Sequence, residues 1–320
     1  MKNVLWISWE NHRRTDEICD FLSIKPCVII SSKTSKARYF YLIKETLKKI
    51  YKTKPSALIV QNPSIVLASI AVMLQPLFNY KLFVDAHNEA VQPYTHDNRI
   101  IRFAARLLMR YSKYTIVTNK YLAEIVNGCG GQAVILPDRV PTIGEIKPIS
   151  LVRDTFNIIL IATYAADEPI VEIIDAACAL KDKVTLYVTG NFSKLEKSFI
   201  ESLPSNIIFT GFLTNEDYWS YLKSADTVID LSLKDNCLVC GAYEAVAVST
   251  PLILSDSKAS VEYFNKGALY TDNSMDDISS KFLLAIKNHA ELMLEMKTFS
   301  EELSAIWQSR GDALIEKIEQ

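Results

Sequence analysis

The chain has 320 residues, 49% hydrophobic and 22% charged, with nine glycines and eleven prolines. That composition supplies two globular cores and excludes collagen-like repeats, long polar tails and disulfide-stapled miniproteins. The net charge of −2 excludes a nucleic-acid binder, yet it hides a split. Residues 1–150 hold 21 Lys and Arg against 11 Asp and Glu, a balance of +10, and the remainder hold 14 against 26, a balance of −12.

Short apolar runs alternate with helical patterns along the chain. In the first half the runs are Val4–Ser8, Val28–Ser31, Ala57–Gln61, Leu82–Asp85, Tyr114–Thr118 and Ala133–Leu136. In the second they are Asn157–Ala162, Val184–Thr189, Ile207–Thr210, Thr227–Leu231, Leu252–Ser255 and Ala268–Tyr270. Continuous β-branched runs of this length suit parallel strands buried on both faces. Arg38–Tyr51, Ile100–Ser112, Pro169–Leu180 and Asp217–Ser224 carry apolar positions at helical spacing. The alternation predicts an α/β fold of two Rossmann-like parallel-sheet domains facing across a cleft. Pro137, Pro141, Gly144 and Pro148 place the boundary within Val140–Thr155, giving domains of 1–148 and 152–302. The tail from Asp276 reads as several helices, with Trp307 an anchor in the last.

Val4–Ser8 is too short for the core of a signal peptide. The longest apolar stretch, Ile65–Leu74, falls short of the roughly 20 residues that span a bilayer and reads as a buried helix. Six cysteines, Cys19, Cys27, Cys129, Cys178, Cys237 and Cys240, are too sparse for a disulfide framework. These features predict a cytoplasmic protein.

No G-x-G-x-x-G follows a strand, and there is no G-x-x-x-x-G-K-[ST], no H-E-x-x-H and no D-x-D. Dehydrogenase, P-loop and built-in metal chemistry therefore lack a motif. Ligands of doubly wound sheets bind beyond the carboxyl ends of the strands, so residues after each run are the candidates. After Leu231 comes Ser232-Leu-Lys-Asp-Asn-Cys-Leu-Val-Cys-Gly-Ala-Tyr-Glu244, then a helix, Pro251 and a strand ending at Ser255. Cys240, Gly241 and Ala242 open that helix, where small residues and the helix dipole suit a diphosphate. Glu244 either accepts two ribose hydroxyls or simply favours the first helical turn by its charge. Cys237-Leu-Val-Cys240 reads as small residues packing this loop, though a thiol at a helix start can be reactive.

This stretch resembles the nucleotide-sugar site of the GT-B glycosyltransferases, in particular family 4, whose motif is E-x7-E followed by a helix, Pro and a strand. Glu244 matches the second Glu. Val84-Asp85-Ala-His87-Asn88, Val117-Thr-Asn119, Ile135-Leu-Pro137, Val188-Thr-Gly190-Asn191 and Phe209-Thr-Gly211-Phe212 resemble further pieces of the family in the right order. The resemblance implies a glycosyltransferase acting on a nucleoside diphosphate sugar, UDP or GDP type, without cofactor or metal and with retention of anomeric configuration. Its acceptor would be a glycan or lipid-linked glycan, in surface polysaccharide or glycoconjugate synthesis. The final helix, about 303–320, would return to the N-terminal, acceptor-binding domain.

By that resemblance His87, Asp85 and Asn236 are catalytic candidates. Glu244, Asp235, Cys240, Gly241, Ala242, Gly190, Asn191, Gly211, Phe212, Thr163 and Lys234 bind donor. Asn236 stands where the family has its first Glu, and the loop Ala162–Pro169 lacks the family's basic pair. Lys234, Arg13 or Arg14 would replace that pair by position. As bare residues, His87 is a sugar ligand or a core histidine, and Arg13 and Arg14 grip a diphosphate bidentately or are exposed helix-start charges. Glu10, Asn88 and Asn119 complete the candidate contacts, and Glu10 and Asp85 are the carboxylates available for an acceptor proton.

Lys33–Lys54 interleaves Lys33, Lys36, Arg38, Lys44, Lys48, Lys49, Lys52 and Lys54 with Tyr39, Phe40, Tyr41, Leu47 and Tyr51. Such a helix is either a peripheral contact for the inner face of an anionic membrane or a solvated face over a core stripe. Two rivals to transfer remain at this stage: a non-catalytic GT-B-like binding or scaffold protein, and a sugar-nucleotide epimerase.

Overall fold

The computed structural model describes residues 3–32, 34–62, 64–92, 99–152 and 154–320. Lys33 of the basic segment lies outside the described residues. The chain forms two units, Met1–Arg139 with Ile306–Gln320, and Val140–Ala305.

Unit one runs β1 (Val4–Ser8), α1 (Arg13–Phe21), β2 (Cys27–Val28), α2 (Ser35–Thr53), β3 (Ala57–Asn62), α3 (Ile65–Phe78), β4 (Lys81–Ala86), α4 (Asn88–Val91), α5 (Arg99–Tyr111), β5 (Tyr114–Val117), α6 (Lys120–Gly128) and β6 (Ala133–Ile135). Its strands form one parallel sheet in the order β2-β1-β3-β4-β5-β6. All six residues of β3 are buried, as the unbroken Ala-Leu-Ile-Val run requires when helices cover both faces. One face packs Leu5, Ile7, Leu58 and Val60 against α2, α3 and α6. The other packs Trp6, Ile59 and Phe83 against α1 and against Trp307, Leu314 and Ile318. Each fully buried aliphatic side chain there is worth about 1.5–3 kcal/mol over an exposed one.

Unit two runs β7 (Phe156–Leu160), α7 (Ile170–Ala179), β8 (Val184–Thr189), α8 (Lys197–Ser202), β9 (Ile207–Gly211), α9 (Asn215–Ser224), β10 (Thr227–Asp230), α10 (Cys240–Val248), β11 (Leu252–Ser255), α11 (Lys258–Tyr263), β12 (Ala268–Thr271) and the first part of α12 (Met275–Glu319), whose residues from Ile306 belong to unit one. Its parallel sheet has the order β12-β11-β10-β7-β8-β9. In each unit the strand order reverses once, between β1 and β3 and between β7 and β10. Chains leaving the carboxyl ends of those two strands diverge, and a crevice opens there.

Three expectations change. The tail is one helix of 45 residues rather than several. Gly311 does not interrupt it, because a Cβ there would come within 2.6 Å of the Phe21 ring and only glycine allows the approach. The apolar helix α3 is buried only along Leu67, Ala68 and Ala71, whereas Met73 and Leu77 are 74% and 77% exposed. It also runs past Pro76 to a left-handed cap at Asn79. The second strand shrinks to Cys27–Val28, an edge with a single neighbour.

Candidate functional site

In unit two, four loops meet at the carboxyl end of the sheet. Gly190, just after β8, has φ of +82°, and a Cβ on it would lie 2.2 Å from the Ala162 carbonyl oxygen. Its N–H donates to the Gly211 carbonyl at 3.0 Å, so the ends of β8 and β9 are pinned backbone to backbone. The loop after β7 folds on the Glu168 carboxylate, which accepts from the N–H groups of Thr163 (2.9 Å) and Tyr164 (2.8 Å) and from the Thr163 hydroxyl. Lys194 Nζ donates to the carbonyls of Thr163 and Tyr164 at 3.0 and 3.2 Å. Asp167 ties this loop to the next: its carboxylate accepts from Ser232 Oγ at 2.7 Å and pairs with Lys234 Nζ at 3.2 Å. Burial works against the Asp167 charge, but those partners hold the carboxyl below its ordinary value. Ser232 N–H donates to Ser255 Oγ at 3.0 Å, joining the ends of β10 and β11.

Helix α10 starts at Cys240, as expected. The Gly241 N–H does not point to open space, however. It donates to Asp230 Oδ2 at 3.0 Å, and a Cβ on Gly241 would sit 2.4 Å from that oxygen. The reading of Gly241 as a diphosphate donor is corrected accordingly: Asp230 already takes this donor. Burial pushes the Asp230 carboxyl well above the usual range, Glu168 adds to the shift, and the Gly241 N–H opposes it. Burial and Glu168 both favour the protonated form of Asp230. Glu244, half-buried on α10, accepts from the Tyr218 hydroxyl at 2.5 Å. Ala242 is buried, Cys240 and Asp235 are exposed, and Asn236 adopts a left-handed φ of +58°. Asn191 accepts from Ser193 N–H at 3.1 Å, and Gly211, with φ of +69°, precedes Phe212, which is 84% exposed.

In unit one, Arg14 is 2% exposed. Its guanidinium donates to both Asp85 oxygens (3.0 and 3.2 Å), to Asp138 Oδ1 (2.7 Å) and to the Leu136 carbonyl (2.8 Å). Burial alone would lower its pKa, but the two carboxylates outweigh that and raise it. Asp138 is in turn held below its ordinary value, Arg14 overcoming burial. The structure thus corrects two expectations. Arg14 is buried with its guanidinium committed to Asp85, Asp138 and Leu136 rather than exposed to grip a diphosphate, and Asp85, fully buried beneath it, is not placed to receive an acceptor proton. Asn119 is corrected too: its Oδ1 caps α6, accepting from Tyr121 and Leu122 N–H at 3.1 Å. Arg13 lies in an i,i+4 pair with Glu17 at 3.5 Å.

His87 follows β4 and opens α4, with its N–H on the Asn62 carbonyl at 3.2 Å. Its ring meets His12 edge to face, centroids 4.7 Å apart. Among the described residues, His87 Nε2, His12 Nδ1 and Asn88 Nδ2 are buried with no hydrogen-bond partner. Burial pushes the His87 pKa down; Asp85 opposes this, and Arg14 and His12 add to the fall. The imidazole is neutral near pH 7 and presents an unspent nitrogen, which suits a ligand hydroxyl better than a core contact.

A family model described as glycosyl transferases group 1 matches residues 144–302, nearly all of unit two. The chain carries a glycosyltransferase domain. Solved structures agree on the fold. Alr3699/HepE of Anabaena with UDP-glucose is 11% identical over 98% of this chain and 99% of its own, with a TM-score of 0.71. Sucrose-phosphate synthase of Thermosynechococcus elongatus is 14% identical over 92% and 81%, with a TM-score of 0.73. The lipopolysaccharide outer core galactosyltransferase WaaB, in its apo form, is 13% identical over 98% and 99%, with a TM-score of 0.67. No curated protein matches in sequence. The GT-B architecture and the resemblance to GT-B glycosyltransferases are borne out.

Within the glycosyltransferase domain the sequence reading missed Asp167, Glu168, Lys194, Tyr218 and Asp230. Asp167 and Glu168 stand between a strand run and a helix, and Asp230 ends a strand, so position alone could have flagged them. Lys194 and Tyr218 carry no such signal. In unit one it missed His12 and Asp138.

Proposed function

We propose that the protein transfers a sugar from a uridine diphosphate sugar to a hydroxyl of a glycan or lipid-linked glycan. The observation that carries this is the loop cluster at the β7/β10 reversal, where a Rossmann-like sheet takes its nucleotide. There Gly190 lets backbone approach a ligand closely, and Glu244 offers a carboxylate to ribose hydroxyls. Thr163 and Lys194 stand over the same crevice, Lys194 supplying a cation where the loop Ala162–Pro169 has none. Structures of Alr3699/HepE hold UDP-glucose, or UDP and glucose, which favours uridine over guanosine. His87 would hold a hydroxyl of the transferred sugar, and Asn236 would replace a carboxylate there with a neutral hydrogen-bonding group. In this reading transfer retains configuration and needs no metal.

Among the described residues no helix is long and apolar enough to cross a membrane. Helix α2 exposes Phe40 (75%) and Tyr51 (67%) amid lysines, and α5 exposes Ile100 (75%) and Phe103 (62%) beside Arg99 and Arg102. We place these on an anionic cytoplasmic membrane surface, in surface polysaccharide synthesis. Absence of binding to anionic vesicles at low salt overturns that part. The Asp230–Gly241 bond favours a second reading, a nucleotide-binding protein without transferase activity, because it removes one donor from the departing diphosphate.

Calorimetric titration with UDP, GDP, CDP and ADP decides. UDP is expected to bind, and Glu244→Ala to weaken it by about tenfold, the loss of roughly 1.4 kcal/mol. If no nucleotide binds the folded protein, the proposal fails. If UDP binds but its sugars are neither transferred nor hydrolysed, the second reading stands.

A further inference from the structure

Asp230 is a buried acid that the transfer reading leaves without a task. It ends β10, where the strand order of unit two reverses. A Cβ on Gly241, at the start of α10, would lie 2.4 Å from Asp230 Oδ2 and 2.5 Å from Ile161 Cδ1, just beyond β7, so the three residues meet at the mouth of the reversal. Oδ2 accepts the Gly241 N–H at 3.0 Å. Oδ1 makes no hydrogen bond among the described residues, although a carboxylate has room for about four. The residue keeps 9% of its surface exposed.

The company is acidic. The ionisable groups that act on Asp230 are Glu168 and Asp167, on the loop after β7, and Glu244, on α10. Strand β11, paired beside it, brings Leu254 into register and no charge. Two lysines stand at the same loops, and both are engaged. Lys234 pairs with Asp167, and Lys194 donates to the Thr163 and Tyr164 carbonyls. Among the described residues no ion pair reaches Asp230. A diphosphate diester would bring two more negative charges to this crevice, and like charges close together favour protonation of the more buried acid.

We propose that Asp230 is a positioning residue of the nucleotide site and that a nucleoside diphosphate sugar is bound with this acid protonated. The inference rests on the reading of the crevice as the nucleotide site. Oδ2 goes on holding the first turn of α10 through Gly241. The Oδ1 hydroxyl supplies a donor in place of the N–H that Asp230 takes. An ionised Asp230 would hold Gly241 equally well but would repel the diphosphate, so the ionised protein takes up one proton from solvent on binding. A carboxyl that only tethered α10 would show no such coupling.

The probe is UDP-glucose, because its diphosphate has no proton to lose near neutrality, whereas the terminal phosphate of UDP titrates at about pH 6. The full-length protein is titrated calorimetrically from about pH 5.5 to 9.5, in paired buffers of different ionisation enthalpy that count protons. Where free Asp230 is ionised, binding takes up close to one proton and Kd rises about tenfold per pH unit. Asp230→Asn keeps an oxygen for the Gly241 N–H and carries no charge. It binds at every pH about as tightly as wild type does at the acid end, and it takes up no proton. Circular dichroism establishes that the variant is folded, and Asp230→Ser, also neutral and with an oxygen, replaces it if it is not. Binding with no proton uptake and a Kd indifferent to pH overturns the proposal. So does uptake that persists in the neutral variant. Either result leaves the nucleotide site standing, whereas no binding of UDP-glucose by folded wild type overturns that reading and this inference with it.

Discussion

Replacing Arg14 by methionine keeps most of the side-chain volume and removes the charge. Asp85 and Asp138 are then left buried and facing each other with no cation, although each is 9% exposed or less. Breaking a buried ion pair by deleting one partner costs about 3–5 kcal/mol, and here one guanidinium serves two carboxylates. We expect the upper half of that range, a large share of the 5–15 kcal/mol typical of a whole domain. At roughly 2–4 °C per kcal/mol the midpoint falls by about 8–20 °C. The assay is urea and thermal unfolding of Arg14→Met, with the triple variant Arg14→Met/Asp85→Asn/Asp138→Asn as control. The triple variant should recover a substantial part of the loss, because no uncompensated charge remains. Asp138 has a depressed folded pKa, so its contribution is present above its ordinary value of 3.8 and disappears as pH falls through the folded one. The gap between wild type and Arg14→Met should therefore narrow below about pH 4. A loss under about 1 kcal/mol at pH 7, or a triple variant no better than the single, refutes the reasoning.

Glu17 is raised by burial to about 7, and a raised folded pKa gives stability that is present below 4.5 and lost as pH rises through 7. Glu17→Gln should abolish that decline, worth roughly 3 kcal/mol, in denaturation curves taken between pH 4.5 and 8. Gly190→Ala forces a side chain against the Ala162 carbonyl in a left-handed conformation; calorimetry should show UDP affinity lowered at least tenfold, and an unchanged value would refute the backbone packing. His87 must be neutral to accept a hydroxyl through its spare nitrogen, so transferase activity should fall on the acid side only below the ordinary histidine value of 6.5, and His87→Ala should remove that limb.

The sheets were legible because parallel strands covered on both faces are written as unbroken apolar runs. Val184–Thr189 and Leu252–Ser255 needed no context beyond themselves. The edge strand at Cys27 was shifted because an edge is only half specified by its own residues. The C-terminal tail was read as several helices, whereas it is one, and its Gly311 lies inside that helix in close contact with Phe21. The turns after β8 and at the end of β9 were legible through Gly190 and Gly211, whose positive φ demands a residue type. The fate of Arg14 was not, since its partners lie 71 and 124 residues away and nothing local announces them. The same distance separates Gly241 from the acid that takes its N–H only in kind, for Asp230 is 11 residues upstream across a loop.

The last fifteen residues complete the first unit's core, where Trp307 sits against Phe21, donates to the Pro137 carbonyl at 3.0 Å, and is followed inward by Leu314 and Ile318. During synthesis on the ribosome the units are therefore completed out of order. The stretch made first waits, with the apolar surface around Trp6, Ile59 and Phe83 uncovered, until more than 160 further residues have been translated. Unit two, being contiguous, has all its strands in hand earlier. An all-parallel sheet is already slow to assemble, and the delay lengthens the interval during which a nascent chain needs a chaperone.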